Sequence, residues 1–137
     1  MTERHRSDRD PRSRPAERIS APVITVNLET ELKALRDSDS YKRNDHASAT
    51  IVNRPGLGVV LIALPKGGHL AEHRTARPIT LGVLEGTIQV SLQDRIIDMV
   101  RGDLTSLAPN LQHKVIGVED SAFLLTMGAE SADRQHV

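Results

Sequence analysis

Hydrophobic residues are distributed along this chain in two distinct ways. Over Asn27–Arg36, Leu28, Leu32 and Leu35 recur at helical spacing, Asn27 is a competent N-cap, and Glu29 and Glu31 stand near the positive end of the helix dipole. The pattern predicts one short helix that lays a leucine stripe on another element, followed by a polar connection over Ser38–Asp45. After His46 the apolar positions come instead in short runs of strand length: Ala49–Val52, Gly58–Leu64, Ile79–Leu84, Thr87–Leu92, Ile96–Val100, His113–Val118 and Ala122–Met127. Thr87–Leu92 alternates strictly, with Ile88, Val90 and Leu92 on one face and Thr87, Gln89 and Ser91 on the other. The punctuation is turn chemistry: Arg54-Pro55-Gly56, Gly67-Gly68, Glu85-Gly86, Gln93-Asp94-Arg95 and Arg101-Gly102-Asp103. Short strands at this spacing predict an all-β antiparallel sandwich or barrel, with helical sequence confined to the N-terminal side.

The first 21 residues obey neither pattern. Arg4, Arg6, Arg9, Arg12, Arg14 and Arg18 alternate with Glu3, Asp8, Asp10 and Glu17, and nothing apolar recurs that would offset the entropy of ordering them. Residues 1–21 are therefore expected to be a disordered arm, 22–45 an extension carrying the helix, 46–128 the barrel and 129–137 a tail.

Composition narrows the chemistry. The 137 residues carry 18 basic and 18 acidic side chains, so the footprint of a dedicated nucleic-acid binder is missing. There is no cysteine, which removes disulfides, thiolate metal sites and cysteine nucleophiles. Tyr41 and Phe123 are the only aromatics, too few for a stacking platform. No apolar run is long enough to cross a bilayer and no signal peptide is evident, so a cytoplasmic location is expected. No Gly-x-Ser-x-Gly elbow or phosphate loop occurs. His69-Leu70-Ala71-Glu72-His73 fits the H-x-x-E-H pattern of inverted zinc peptidases, but that chemistry needs a helix. Between Gly67-Gly68 and Pro78 there is little room for one.

Two stretches carry a resemblance. Gly67, His73, Thr75 and Leu84-Glu85-Gly86 form the first; Gly102-Asp103 and Leu107-Ala108-Pro109-Asn110-Leu111-Gln112-His113 form the second. Together they resemble the two motifs of the cupin superfamily, and of its small single-domain members, which implies a double-stranded β-helix, or jelly roll, over about residues 46–127. Asn110 stands where the family usually has Gly; Asn is the next residue most willing to take φ > 0.

The resemblance also implies a metal site of three histidines and a glutamate. His73 matches the first histidine and His113 the last, but Thr75 and Ile79 occupy the other two positions. A hydroxyl and an aliphatic chain are poor ligands for the divalent ions involved, whether Fe, Zn, Ni or Mn. His69 or His46 could complete a rebuilt site. In a regular strand His69 shares a face with His73, although about 13 Å away. The inward row in the family register is His73, Thr75, Ile79, Leu81, Val83, His113 and Val115, with Phe123 and Leu125 at the far end. Arg77 shares the parity of His73 and Thr75: it either enters the pocket as a carboxylate clamp or is left on the rim by Pro78. The expectation is a cup binding a small, partly apolar or anionic molecule at a degraded metal site, in a homodimer that uses apolar residues on both faces of strands such as Thr80–Leu84. Two alternatives stand beside it: a metal-dependent dioxygenase or isomerase with a rebuilt histidine site, and an interaction module whose contact is the arginine arm.

Overall fold

The computed structural model describes residues 21–43 and 45–130; the expected arm and most of the expected tail lie outside these. Among the described residues, two helices precede nine strands. Helix α1, Leu28–Arg36, begins where Asn27 stands in extended conformation and its side chain accepts from the Thr30 N–H at 2.9 Å. Helix α2, Asp39–Lys42, was not expected from the sequence. Ser38 caps it by accepting from the Tyr41 N–H, and a single turn held by its cap shows no hydrophobic period.

The strands are β1 Ala47–Arg54, β2 Leu57–Leu64, β3 His69–His73, β4 Ile79–Glu85, β5 Thr87–Leu92, β6 Ile96–Val100, β7 Leu104–Leu107, β8 His113–Gly117 and β9 Ser121–Met127. All pairings are antiparallel and form two sheets, β1-β2-β9-β4-β7 and β3-β8-β5-β6. The H-x-x-E-H segment is a strand, so a helical zinc-peptidase site is excluded there. Strand β7 falls between Asp103 and Leu107, where four residues are too few for a visible alternation.

Successive strands from β2 onward cross from one sheet to the other or turn back within the barrel, and the connections sort by end. Those leaving β2, β4, β6 and β8 lie at one end; those leaving β3, β5 and β7, together with the β1–β2 turn, lie at the other. The first set is the closed end and the second the mouth.

The space between the sheets is a packed core. Ile62, Leu64, Ile79, Leu81, Val83, Ile88, Val90, Met99, Leu107, Val115, Phe123 and Leu125 form one buried cluster, and burial alternates along β4 and β8 as the period-2 rule requires. A second cluster lies outside the larger sheet, where Leu32 of α1 covers Ile51, Leu61, Ala63 and Ala122. The two-faced apolar character of β2 and β4 thus has an internal cause: Leu61, Ala63 and Leu84 pack with the α1 layer. This corrects the reason given above for a dimer, because that apolar face is already partly spent within one chain. No described helix is long and apolar enough to cross a membrane.

Candidate functional site

The mouth is assembled by backbone first. His73 ends β3 directly opposite His113, the first residue of β8, and Leu92 faces His113 on its other side. The two mouth loops are tied together where the Asn110 N–H donates to the Thr75 carbonyl at 2.7 Å. Asn110 holds φ 68, the left-handed turn expected of the glycine position.

His113 is 2% exposed, and its Nδ1 lies 3.0 Å from the Leu111 carbonyl oxygen. A carbonyl only accepts, so Nδ1 carries the proton of that contact and Nε2 is the basic nitrogen of the neutral ring. The side chain of His73 lies outside the described set. Thr75 is half-buried in the β3–β4 loop, its hydroxyl accepting from the Arg77 N–H at 3.2 Å. Arg77 does not clamp the core: its Nε donates to the Gly128 carbonyl, which holds the side chain along the end of β9. Ile79, Leu81, Val83, Val115, Phe123 and Leu125 face inward and pack on one another as core.

The two auxiliary histidines lie elsewhere. The β3–β8 register shifts between Leu70 and His73, where three residues on β3 span two on β8. This bulge breaks the alternation, so His69, paired with Ile116 and exposed, does not keep the face expected for a strand without interruption. His46 sits before β1 with its ring 3.2 Å from the Asp45 carboxylate. The Asp45 carboxyl is held below its ordinary value first by the backbone N–H of His46, against desolvation, with the charge and ring contact of His46 and then the charge of His69 adding to the lowering. Asp45 and His46 are in contact just before β1, and His69 begins β3, both toward the closed end.

The residues do not fit the metal implied by the resemblance. Ile79 offers no donor and is 3% exposed in the core, the Thr75 hydroxyl is engaged by backbone, and the candidate substitutes are at the other end of β3. Among the described residues no three His, Asp or Glu side chains are grouped to hold an ion.

What the mouth does provide is a cavity of about 630 Å³. Its apolar base is Leu92, Ile97 and Leu107; Arg74, Arg95, Asp94, Gln93, Asn110 and Gln112 surround that base. The sequence marked Gln93-Asp94-Arg95 only as a turn and Asn110 and Gln112 only as part of a motif, and nothing in it joined them to Arg74 as one site, since they sit on three separate turns. The Arg95–Asp94 contact is long, 3.4 Å, with both side chains about two-thirds exposed, so water screens it strongly. A second recess of about 460 Å³ lies between α1 and the closed end, against Leu28, Leu32, Leu84 and Arg101.

Solved structures place this arrangement. The larger part of the chain superposes on a cupin superfamily protein from Desulfitobacterium hafniense, with TM-score 0.62 and 17% identity over 64% of this chain and 80% of that one. The chain has the cupin fold. An RmlC-like cupin with a double-stranded β-helix from Methanocaldococcus jannaschii matches with TM-score 0.61 and 16% identity over 73% and 90% of the two chains. A conserved Streptococcus pyogenes protein of unknown function matches at 0.60 and 21% over 64% and 76%. No family model matches the sequence, and no curated protein matches it. At these identities the cupin likeness is one of fold, and the chemistry must come from the residues.

Proposed function

We propose that this cupin binds a small, partly apolar molecule with an anionic group at the mouth of its barrel, without a metal ion, and acts as a homodimer. The observation that carries the reading is the mouth cavity, with Leu92, Ile97 and Leu107 as an apolar base below Arg74 and Arg95. Guanidinium groups present paired donors to a carboxylate or phosphate, and the side-chain amides of Asn110 and Gln112 supply both donors and acceptors for hydroxyl groups. With no aromatic residue on the wall, a flat stacked ligand is disfavoured against an aliphatic one.

The chain's own residues supply binding and orientation. His113 holds its basic nitrogen in a fixed tautomer at the start of β8, and its partner position across the ladder is His73. Because a ligand that binds only the folded state stabilises it by mass action, melting measurements on a panel of short aliphatic carboxylates and phosphate esters give the test. A rise of several degrees in the wild type, lost in Arg74→Ala/Arg95→Ala, is expected. No shift across the panel counts against the anion reading. Elemental analysis of untagged protein covers the alternative: near one equivalent of iron, zinc, nickel or manganese, absent from His73→Ala/His113→Ala, replaces binding with the metal-dependent enzyme.

A further inference from the structure

The two sheets part along one seam. Strands β6 and β7 follow each other in the chain, yet β6 ends the smaller sheet and β7 the larger. Toward the closed end the seam is tied. The Asp103 N–H donates to the Val100 carbonyl at 2.9 Å, and the Asp103 carboxylate accepts from the Val100 N–H at 2.9 Å. The Val83 N–H of β4 donates to the Asp103 carbonyl at 3.0 Å. Toward the mouth the seam opens into the cavity of about 630 Å³, which takes Ile97 from β6, Thr105, Ser106 and Leu107 from β7, and no residue from β4.

The ladder shows which backbone groups of β7 border this space. On the other flank of β4, toward β9, the Gly128 N–H donates to the Pro78 carbonyl at 2.9 Å. Bonding alternates from flank to flank along a strand, so Ile79, Leu81 and Val83 bond toward β7. Leu107 and Thr105, opposite Ile79 and Leu81, bond back toward β4. Between them the N–H and carbonyl of Ser106 are directed off the sheet, and no turn or loop bond among the described residues takes them. A donor and an acceptor thus stand side by side at the cavity.

The cavity is also layered. Its base is apolar: Leu107 is buried, and Leu92 and Ile97 are half-buried. Arg74, Asp94 and Arg95 are exposed at the rim, and their charges sum to a single positive one. One carboxylate balances that charge, whereas a phosphate monoester brings close to two negative charges at neutral pH.

We infer that the ligand is a short N-acylated amino acid, with its acyl chain on the base, its amide at the Ser106 edge and its carboxylate at Arg74 and Arg95. This rests on the anion-binding reading above and names its ligand class. An amide offers both the acceptor and the donor that the Ser106 backbone lacks, while a plain fatty acid leaves that pair unmatched once water is displaced. The free acid is favoured over the end of a peptide, because the acyl end meets a base packed on the core and a longer chain has no way through.

The experiment is titration calorimetry on the full chain. N-hexanoylglycine is expected to bind at least roughly tenfold tighter than nonanoate, which has the same length without the amide, or hexanoyloxyacetate, which lacks the N–H. It is also expected to outbind N-hexanoylaminomethylphosphonate and the longer acetyl-alanyl-alanyl-leucyl-glycine. Against Ser106→Ala, which keeps the backbone N–H, Ser106→Pro is expected to lose roughly tenfold for N-hexanoylglycine, with melting curves confirming that both fold. Failure of N-hexanoylglycine and nonanoate alike overturns the anion reading and the ligand class together. Nonanoate binding as tightly as N-hexanoylglycine overturns the class alone. A tighter phosphonate overturns the single carboxylate, and a tighter peptide overturns the free acid. Equal binding by Ser106→Pro and Ser106→Ala overturns the role of the β7 edge. If Ser106→Pro does not fold, hexanoyloxyacetate matching N-hexanoylglycine overturns that role instead.

Discussion

The closed end of the barrel and its mouth are made by the same nine strands and solve opposite problems. At the closed end the polar atoms face each other. Ser121 is wholly buried; its hydroxyl oxygen accepts from the Thr87 N–H at 3.0 Å and lies 2.8 and 2.7 Å from the Thr87 and Glu119 carbonyls. Gly67 donates to Gly117, Gly117 to Gly68, Val118 to Thr87 and Gly102 to Val83. At the mouth the inter-loop backbone bond from Asn110 to Thr75 is joined by exposed or half-exposed polar side chains around a cavity. Buried groups must find partners within the protein, whereas the mouth can leave its own to water or to a ligand. Substitutions should therefore cost stability at one end and binding at the other.

Gly86→Ala should give the largest effect. Residue 86 holds φ +78, and an added Cβ would stand 2.3 Å from the Asp120 carbonyl oxygen and 2.8 Å from Ser121 Cα, both on backbone that cannot swing aside. Overpacking and left-handed strain together should destabilise by about 4 kcal/mol in chemical unfolding. Gly102 is the control: φ is +93, but no atom lies within 4 Å of the added carbon. Gly102→Ala should cost only the backbone strain, about 1–2 kcal/mol. Equal losses would mean that the close approach at Gly86 contributes nothing.

Ser121→Ala comes next. It strands the Thr87 N–H and takes the hydroxyl donor away from the Glu119 carbonyl, while the Thr87 carbonyl keeps the Val118 N–H, for a loss of about 2 kcal/mol. The mouth counterpart, Gln112→Ala, should change stability by less than about 0.5 kcal/mol. If a ligand is found, the same substitution should weaken it measurably in titration calorimetry. A stability loss at Gln112 matching that at Ser121 would erase the distinction between the two ends.

This contrast also explains what could be seen in the sequence. The closed end was legible because its constraints are local: Glu85-Gly86 and Gly102-Asp103 announce turns whatever the tertiary fold. The inward row Ile79, Leu81, Val83 and Val115 came from the family register as pocket lining, and the structure packs it as core. Asn110 was legible as a substitute for glycine. The cavity was not, because Arg74, Arg95 and Gln112 stand on turns with no shared period. They meet only once alternate connections are assigned to the same end. His69 was misplaced for a related reason. A bulge at Ala71–Glu72 has no signature in those residue types, yet one extra residue inverts every parity argument across it. Helix α2 depends on a single serine cap, below the length at which periodicity exists.

The smallest expected effect probes an exposed carboxylate near the closed end, Asp45. The Asp45 carboxylate accepts from the His46 N–H at 2.8 Å, and this contact more than any other holds its pKa below 3.8; the charges of His46 and His69 act in the same direction. A carboxyl depressed in the folded state contributes stability that is fully present above its unfolded pKa. That stability is lost as pH falls through the folded value. The window therefore opens near 3.8 and extends below it. Because the Asp45 side chain is largely exposed, salt should screen the part due to the two histidines and leave the backbone hydrogen bond. Asp45→Asn keeps an acceptor for the His46 N–H and removes the charge. Urea unfolding of the two proteins should show a slightly shallower acid limb for the variant, confined to that window. A difference appearing at neutral pH instead would trace the variant's effect to packing or helix α2, and not to the carboxylate.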